Sequence, residues 1–104
     1  MSYPAFAVAN TLIERSKMTG VPLTPLKLQK VMYFLTSEYA KVTGGDNLML
    51  DNFQAWAYGP VVPAIYQKFK PFRANPITSY ATDSQGYILK VTVAENPAFG
   101  RTLN

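Results

Sequence analysis

The feature that most constrains this chain is a long apolar stripe, repeated at helical spacing between Thr24 and Gly44. Apolar residues fall at i, i+3, i+4, i+7, i+11 and i+14, as Leu28, Val31, Met32, Leu35, Tyr39 and Val42. This spacing places them on one face of an α-helix. Thr24 suits the N-cap, Pro25 the first helical position, and Gly44-Gly45 the C-terminal end. The chain is therefore expected to bury one long amphipathic helix against other elements.

Two further helices are predicted, one before and one after this central helix. The first spans residues 3–17, and the second begins at Pro63 and ends near Lys70. Between the central helix and Pro63, residues 48–58 are expected to be extended, and Gly59-Pro60 to break that segment. The inward residues of the three helices are expected to form one core, made of Leu12, Leu28, Val31, Met32, Leu35, Ile65 and Phe69.

The last third of the chain changes from helical periodicity to alternation. Residues 77–81 and 87–93 predict two strands, with a turn at Asp83–Gly86 between them. Residues 94–104 are expected to form a loose tail. The predicted fold is a small α+β domain with three helices and a C-terminal β-hairpin, in a single domain over residues 1–104.

Composition excludes several classes of chemistry. The 104 residues are 48% apolar and 15% charged, which favours one globular domain. The absence of Cys and His excludes disulfides, thiol nucleophiles and every catalytic arrangement that uses a histidine base. The six carboxylates are scattered without DxD or ExxE spacing. No catalytic residue, metal site or cofactor is therefore expected.

The sequence also carries no signal for a membrane. No run approaches the roughly 18 apolar residues that predict a spanning helix. The opening Met-Ser-Tyr-Pro has no basic segment ahead of an apolar stretch, so no signal peptide is expected. A cytoplasmic location is the expectation that follows.

Two sequence blocks resemble a known family when they are taken together. Residues 24–34 read TPLKLQKVMYF and residues 53–66 read FQAWAYGPVVPAIY. This pairing resembles the Panacea domain family of SocA-like antitoxins and GepA-like phage-associated proteins, over about residues 5–77. Family members usually continue into further helices with Thr-His and Pro-Trp patterns. This chain has no His and only one Trp, so it is expected to be either a short or C-terminally diverged member or a fragment.

The resemblance implies a non-enzymatic role. It implies an antitoxin that neutralises a partner toxin by direct binding, or a prophage-encoded protein associated with one. It also implies a second mechanism, in which an antitoxin acts as an adaptor that delivers its toxin to an AAA+ protease. The resemblance implies no cofactor, and it does not identify the toxin.

Six residues within these blocks are candidate partner-binding residues: Lys27, Lys30, Trp56, Tyr58, Gly59 and Pro60. The two lysines, with Gln29 between them, form either a solvated helix face or a contact to a partner or to the GPVVP loop. The two aromatics either plug a gap between helices, with Gly-Pro as a required bend, or form an exposed anchor for a partner.

Lys68, Lys70 and Arg73 form a basic cluster that supports an alternative function. Clusters of this kind usually mark a solvated helix end. Three helices followed by a hairpin would also suit a small winged-helix-like DNA-binding regulator, with residues 63–70 as the reading helix and 83–86 as the wing tip. Nucleic acid is a partner only under this alternative. A homo-oligomer that pairs through an edge strand of the hairpin is a third expectation.

Overall fold

The computed structural model describes residues 2–103, which form four α-helices, one 3-10 turn and one two-stranded hairpin. The helices are α1 (Ala5–Thr19), α2 (Pro25–Thr43), α3 (Pro63–Phe69) and α4 (Pro97–Leu103). The strands are β1 (Gln54–Trp56) and β2 (Gly59–Val61), and the 3-10 turn is Lys70–Phe72. The strands are antiparallel, with Gln54 opposite Val61 and Trp56 opposite Gly59.

Helix α2 confirms the central prediction. The Thr24 hydroxyl accepts a hydrogen bond from the Lys27 backbone N–H at 3.3 Å, and Pro25 is the first helical residue. Gly44 ends the helix with a φ of 74°, in the left-handed region that favours glycine. Most of the predicted stripe is buried, whereas Val42 remains 45% exposed at its far end.

Helix α1 begins at Ala5 and ends at Thr19, two residues later at each end than predicted. Its N-terminus is fixed by the segment that follows α2. The Asp51 carboxylate accepts from the Ala5 backbone N–H at 2.9 Å, which suits the positive end of the helix dipole. Tyr3 pairs with the same segment, because its N–H donates to the Leu48 carbonyl at 2.9 Å and its carbonyl accepts from the Leu50 N–H at 2.8 Å.

The predicted C-terminal hairpin is wrong, and the hairpin of residues 2–103 lies in the middle of the chain, at β1–β2. Residues 77–81 and 87–93 form no strands, and side chains of α1 bind their backbone at Ala81, Leu89 and Val91. The Asn10 amide accepts from the Ala81 N–H at 2.8 Å and donates to the Ala81 and Leu89 carbonyls at 2.8 and 3.0 Å. The Thr11 hydroxyl accepts from the Val91 N–H at 2.8 Å.

A turn does form at Asp83–Gly86, where the Asp83 carboxylate accepts from the Gln85 and Tyr87 N–H groups, each at 2.9 Å. Without flanking strands it is not a wing. The prediction that residues 83–86 form the wing tip of a winged-helix arrangement is therefore wrong. The oligomer predicted through that hairpin's edge also loses the strand on which it depended.

The predicted loose tail and the count of three helices are also wrong, because residues 97–103 form α4. Asn96 precedes this helix, and its side-chain oxygen accepts from the Phe99 N–H at 3.2 Å. The Asn96 amide nitrogen donates to the hydroxyls of Tyr39 at 2.9 Å and Tyr3 at 3.1 Å. Phe99 is fully buried, so α4 is part of the core.

One hydrophobic core lies among the four helices. It contains six of the seven predicted core residues, and Val31 packs half-buried against it. The radius of gyration is 12.9 Å, close to the roughly 13 Å expected of a compact chain of 100 residues. Within residues 2–103, no helix combines the length and the apolar character that crossing a bilayer requires.

Candidate functional site

The two sequence blocks meet through Gln29 of α2 and Val62, the residue before α3. The Gln29 side-chain oxygen accepts from the Val62 N–H at 2.9 Å, and its nitrogen lies 3.4 Å from the Val62 carbonyl, to which it donates. Gln29 is only 4% exposed. Its amide therefore binds both backbone groups of the N-cap residue of α3, and it fixes the hairpin and α3 against α2.

The hairpin presents two aromatic side chains in different ways. Trp56 ends β1 and is half-buried. Its ring meets Tyr66 of α3 edge to face at 5.0 Å between centroids, and its Nε1 donates to the Gln54 side-chain oxygen at 3.0 Å. Tyr58 lies in the two-residue turn and is 73% exposed. Gly59 follows with a φ of 113°, a backbone angle at which a residue with a side chain would be strained.

Between α2, the hairpin and α3 lies a groove of about 450 Å³, which we call the aromatic groove. Its floor is apolar, and Val61 and Ile65 are buried there. Leu26 and Tyr58 stand on its walls beside Trp56 and Tyr66, and Lys70 and Arg73 complete its lining. No carboxylate side chain lines the groove within residues 2–103. The groove therefore combines an apolar floor with a purely cationic charge.

Arg73 occupies an unusual backbone conformation at the edge of the groove. Its φ of 56° and ψ of −120° make it the non-glycine residue with positive φ among residues 2–103. The Asn75 N–H donates to the Phe72 carbonyl at 2.9 Å and closes a turn around it. These angles are those of the first central position of a type II′ turn, where glycine is preferred. A cationic side chain is thus held at a position that costs backbone energy.

The predicted site residues fall into three groups in space. Trp56 and Tyr58 meet at the aromatic groove, where Lys70 and Arg73 of the basic cluster join them. Gly59 and Pro60 form the supporting strand β2. The remaining predicted lysines, Lys27, Lys30 and Lys68, are exposed and do not line the groove. Lys27 instead lies at a shallow depression between α1 and α2.

The sequence interpretation missed two residues of the groove. Leu26 was left without a role, although it is apolar and lies off the buried stripe of α2, and the structure leaves it 49% exposed. An apolar residue outside the buried stripe of a helix was the sequence signal that could have identified Leu26 as a surface contact. Tyr66 closes the second sequence block but was not chosen as a candidate site residue, and it is half-buried against Trp56.

Outside the groove, the described residues form two surface ion pairs, Lys41–Glu38 and Lys90–Glu14. Lys90 donates to the Glu14 carboxylate, and this hydrogen bond raises the pKa of Lys90 above its ordinary value of 10.5. The Lys17 and Lys90 ammonium groups lie 4.5 and 4.7 Å from the centroid of the Tyr80 ring. Across residues 2–103, no group of three or more acidic side chains is gathered as a metal ion would require. The aromatic groove differs from the cluster around Tyr80, because its two cations line an apolar floor and neither is paired there with a carboxylate of the described residues.

Comparisons with known proteins agree with the blocks that frame this groove. The family model described as antitoxin SocA-like, Panacea domain, matches residues 28–99. A curated relative, Antitoxin SocA of Caulobacter vibrioides (strain NA1000 / CB15N), is 38% identical over 68 residues. That alignment covers 65% of this chain and 36% of the relative, so the match spans about a third of that protein's length. No solved structure matches the chain.

The family match begins at residue 28, later than the start predicted at about residue 5. It ends in α4, beyond the end predicted at about residue 77. It includes the hairpin, the buried Phe99 and the groove residues from Gln29 to Arg73, but not Leu26 and Pro25 of the groove. The resemblance predicted from the two blocks is confirmed, and the chain belongs to the antitoxin SocA-like family with its Panacea domain at residues 28–99.

Proposed function

We propose that this chain is a non-enzymatic antitoxin module that neutralises a partner toxin by binding it directly through the aromatic groove. The observation that carries the proposal is Tyr58, which is 73% exposed beside Trp56 at the mouth of an apolar groove. Exposed tyrosine and tryptophan next to a pocket are typical of binding hot spots. Family membership and the name of the curated relative support the antitoxin role.

The support beneath the groove favours a preformed binding surface. Gln29 is hydrogen-bonded to the backbone of Val62. The Trp56 indole donates a hydrogen bond to Gln54 and packs against Tyr66. A surface whose side chains are already ordered loses less entropy on binding. Tyr58 is therefore expected to meet the toxin with little rearrangement of the groove around it.

The proposed surface continues from the groove onto α2. Leu26 lines the groove, and Lys30 follows it by one helical turn on the exposed face of α2. A partner seated on Leu26 and Tyr58 would reach Lys30 at its edge. Lys27 lies toward α1 and contributes to a partner contact only if the partner extends around α2.

The test is co-expression of this chain with the product of the adjacent open reading frame, scored by growth rescue and by co-purification in moderate salt. The proposal expects the neighbour to be toxic alone, and harmless and co-purified with this chain. Tyr58→Ala is expected to abolish rescue. Tyr87→Ala is the matched control, because Tyr87 is 65% exposed and lies outside the groove. Lys30→Glu tests the edge on α2.

Two outcomes would contradict direct neutralisation. Rescue that coincides with loss of the neighbour's protein, and that requires an AAA+ protease, would assign the chain to toxin delivery instead. A neighbour that stays toxic and unbound would end the antitoxin proposal for that pair. Equal rescue by Tyr58→Ala and Tyr87→Ala would move the binding surface away from the groove.

A further inference from the structure

The aromatic groove carries a specific charge as well as an apolar floor. Lys70 and Arg73 are exposed at its lining, and no acidic side chain of residues 2–103 lies there to neutralise them. The nearby Tyr66 ring lies 6.0 Å from the Lys70 ammonium, so that lysine already stands over the aromatic wall. A ligand seated on the floor would meet two positive charges without a competing carboxylate of this chain.

We propose that the groove takes an acidic, extended segment of the partner protein, with one apolar side chain anchored beside Trp56 and Tyr58 and an adjacent carboxylate bound by Arg73. This inference rests on the proposed function and names the chemistry of the partner at that site. An arginine guanidinium offers two parallel N–H donors to a carboxylate, which a lysine does not. Arg73 is accordingly the specificity-determining residue, and Lys70 adds a second, less directional attraction.

The backbone at Arg73 supports this assignment. Its φ of 56° and ψ of −120° suit glycine, and the turn that it occupies is closed by backbone atoms of Phe72 and Asn75. Folding alone gives no reason for a long cationic side chain at that position. Strained positions of this kind are typical of ligand-binding sites. The guanidinium at the edge of the groove gives the strain a function.

The observations favour a peptide over a nucleic acid as the occupant. Single-stranded nucleic acids use open aromatic faces for stacking and a row of cations for successive phosphates. Here the Trp56 ring is packed against Tyr66 and its N–H is bound by Gln54. Lys68 lies outside the groove, which leaves two cations inside it. A concave volume of about 450 Å³ suits one or two anchoring side chains.

Trp56 provides the readout, since it is the only tryptophan of the sequence and it lines the groove. A library of random short peptides is displayed and selected for binding to the intact chain. Selected peptides that lack tryptophan are then titrated against it by Trp56 fluorescence. The expected consensus is an apolar residue flanked by Asp or Glu. Charge-reversed versions, with Lys or Arg at those positions, are expected to leave the emission unchanged.

The variants make the assignment to Arg73 specific. Arg73→Gly is expected to weaken the acidic peptides about tenfold while leaving the chain folded, because glycine suits the turn. Lys68→Glu, a charge change on exposed α3 outside the groove, is expected to change affinity less than about twofold. A consensus without acidic residues, or equal affinity for wild type and Arg73→Gly, overturns the proposal. So does groove binding by oligo-dT that is as tight as that of the selected peptides.

Failure of this inference is separable from failure of the proposed function. If Tyr58→Ala abolishes growth rescue but Arg73→Glu does not, the antitoxin function stands and the acidic partner segment is wrong. If acidic peptides bind with the expected dependence on Arg73 and no rescue occurs, the peptide site stands and the antitoxin function is wrong.

Discussion

Gln29 on α2 binds both backbone hydrogen-bonding groups of Val62, the residue immediately before α3. Two segments separated by 33 residues are thus joined by one buried amide. The same contact places Trp56, Tyr58 and Tyr66 around one groove, because β2 leads directly into Val62. The order of the groove depends on a residue that does not itself form its exposed wall.

Replacing Gln29 should therefore destabilise the chain more than its loss of volume suggests. Gln29→Leu leaves the buried Val62 N–H without a partner, and we expect a loss of about 1–3 kcal/mol in the free energy of unfolding. Urea denaturation followed by circular dichroism measures it. Gln67→Leu is the matched control, since Gln67 is exposed on α3. Equal stability of the two variants would show that the Gln29 contact contributes nothing.

Asn10 is expected to stabilise the two segments on either side of the Asp83 turn. Asn10→Ala removes three hydrogen bonds to the backbone of Ala81 and Leu89. Because the Ala81 groups left behind are buried, we expect a loss of about 2–3 kcal/mol and faster amide exchange at Ala81. Hydrogen exchange monitored by NMR checks this. Unchanged protection at Ala81 would contradict it, and exposed Asn52→Ala serves as the control.

Phe99→Ala tests whether α4 belongs to the core. The ring is fully buried, so its truncation leaves a cavity that should cost about 3–5 kcal/mol. Thermal or urea unfolding measures the loss. Tyr87→Ala removes an exposed ring of similar size and should stay within about 0.5 kcal/mol of wild type. A small effect of Phe99→Ala would restore the loose tail that the sequence predicted.

Arg73→Gly should increase stability while it weakens partner binding. Glycine adopts the φ of 56° without strain, and relief of that strain outweighs the added freedom of the unfolded chain, so we expect a gain of about 1 kcal/mol. The unfolding free energy in urea measures it. Arg73→Ala keeps the strain and is expected to show no gain. A loss of stability in Arg73→Gly would show that the turn does not strain arginine.

The Lys90–Glu14 pair should make stability fall at high pH. The hydrogen bond to Glu14 raises the pKa of Lys90 above 10.5, so the folded chain holds this proton more tightly than the unfolded chain. Its contribution is full below 10.5 and is lost as pH rises through the higher folded pKa. Thermal melts of wild type and Lys90→Met should therefore converge above that range. For the control Lys68→Met, the difference in melting temperature from wild type should not change over the same pH range.

The parts of the fold that local signals determine were predictable. Helix α2 has its cap, its first-turn proline, its stripe and its terminal glycine within one continuous segment, and the structure reproduces each of them. The C-terminal third failed for the opposite reason. Alternation in residues 87–93 fits a strand, but Asn10 and Thr11, 79 and 80 positions earlier, bind its backbone instead. No local pattern reports a partner at that separation.

Helix α4 was missed because its seven residues show no repeated stripe, and its anchor is the contact between Asn96 and Tyr39. The groove was half predictable. Trp56 and Tyr58 stand out by residue type, and the basic cluster stands out by charge. Their convergence required α3 to fold back against the hairpin, which only the tertiary contact between Gln29 and Val62 fixes.

The Asn96 side chain has a consequence for the order in which the molecule assembles. It connects the start of α4 to Tyr3 and Tyr39, which lie 93 and 57 positions before Asn96 along the chain. Contacts of such long separation form slowly, because a large loop must close first. We expect the docking of α4 to be the late kinetic step. Until then the apolar surface that Phe99 covers would face water, as a site that a chaperone or a protease can recognise.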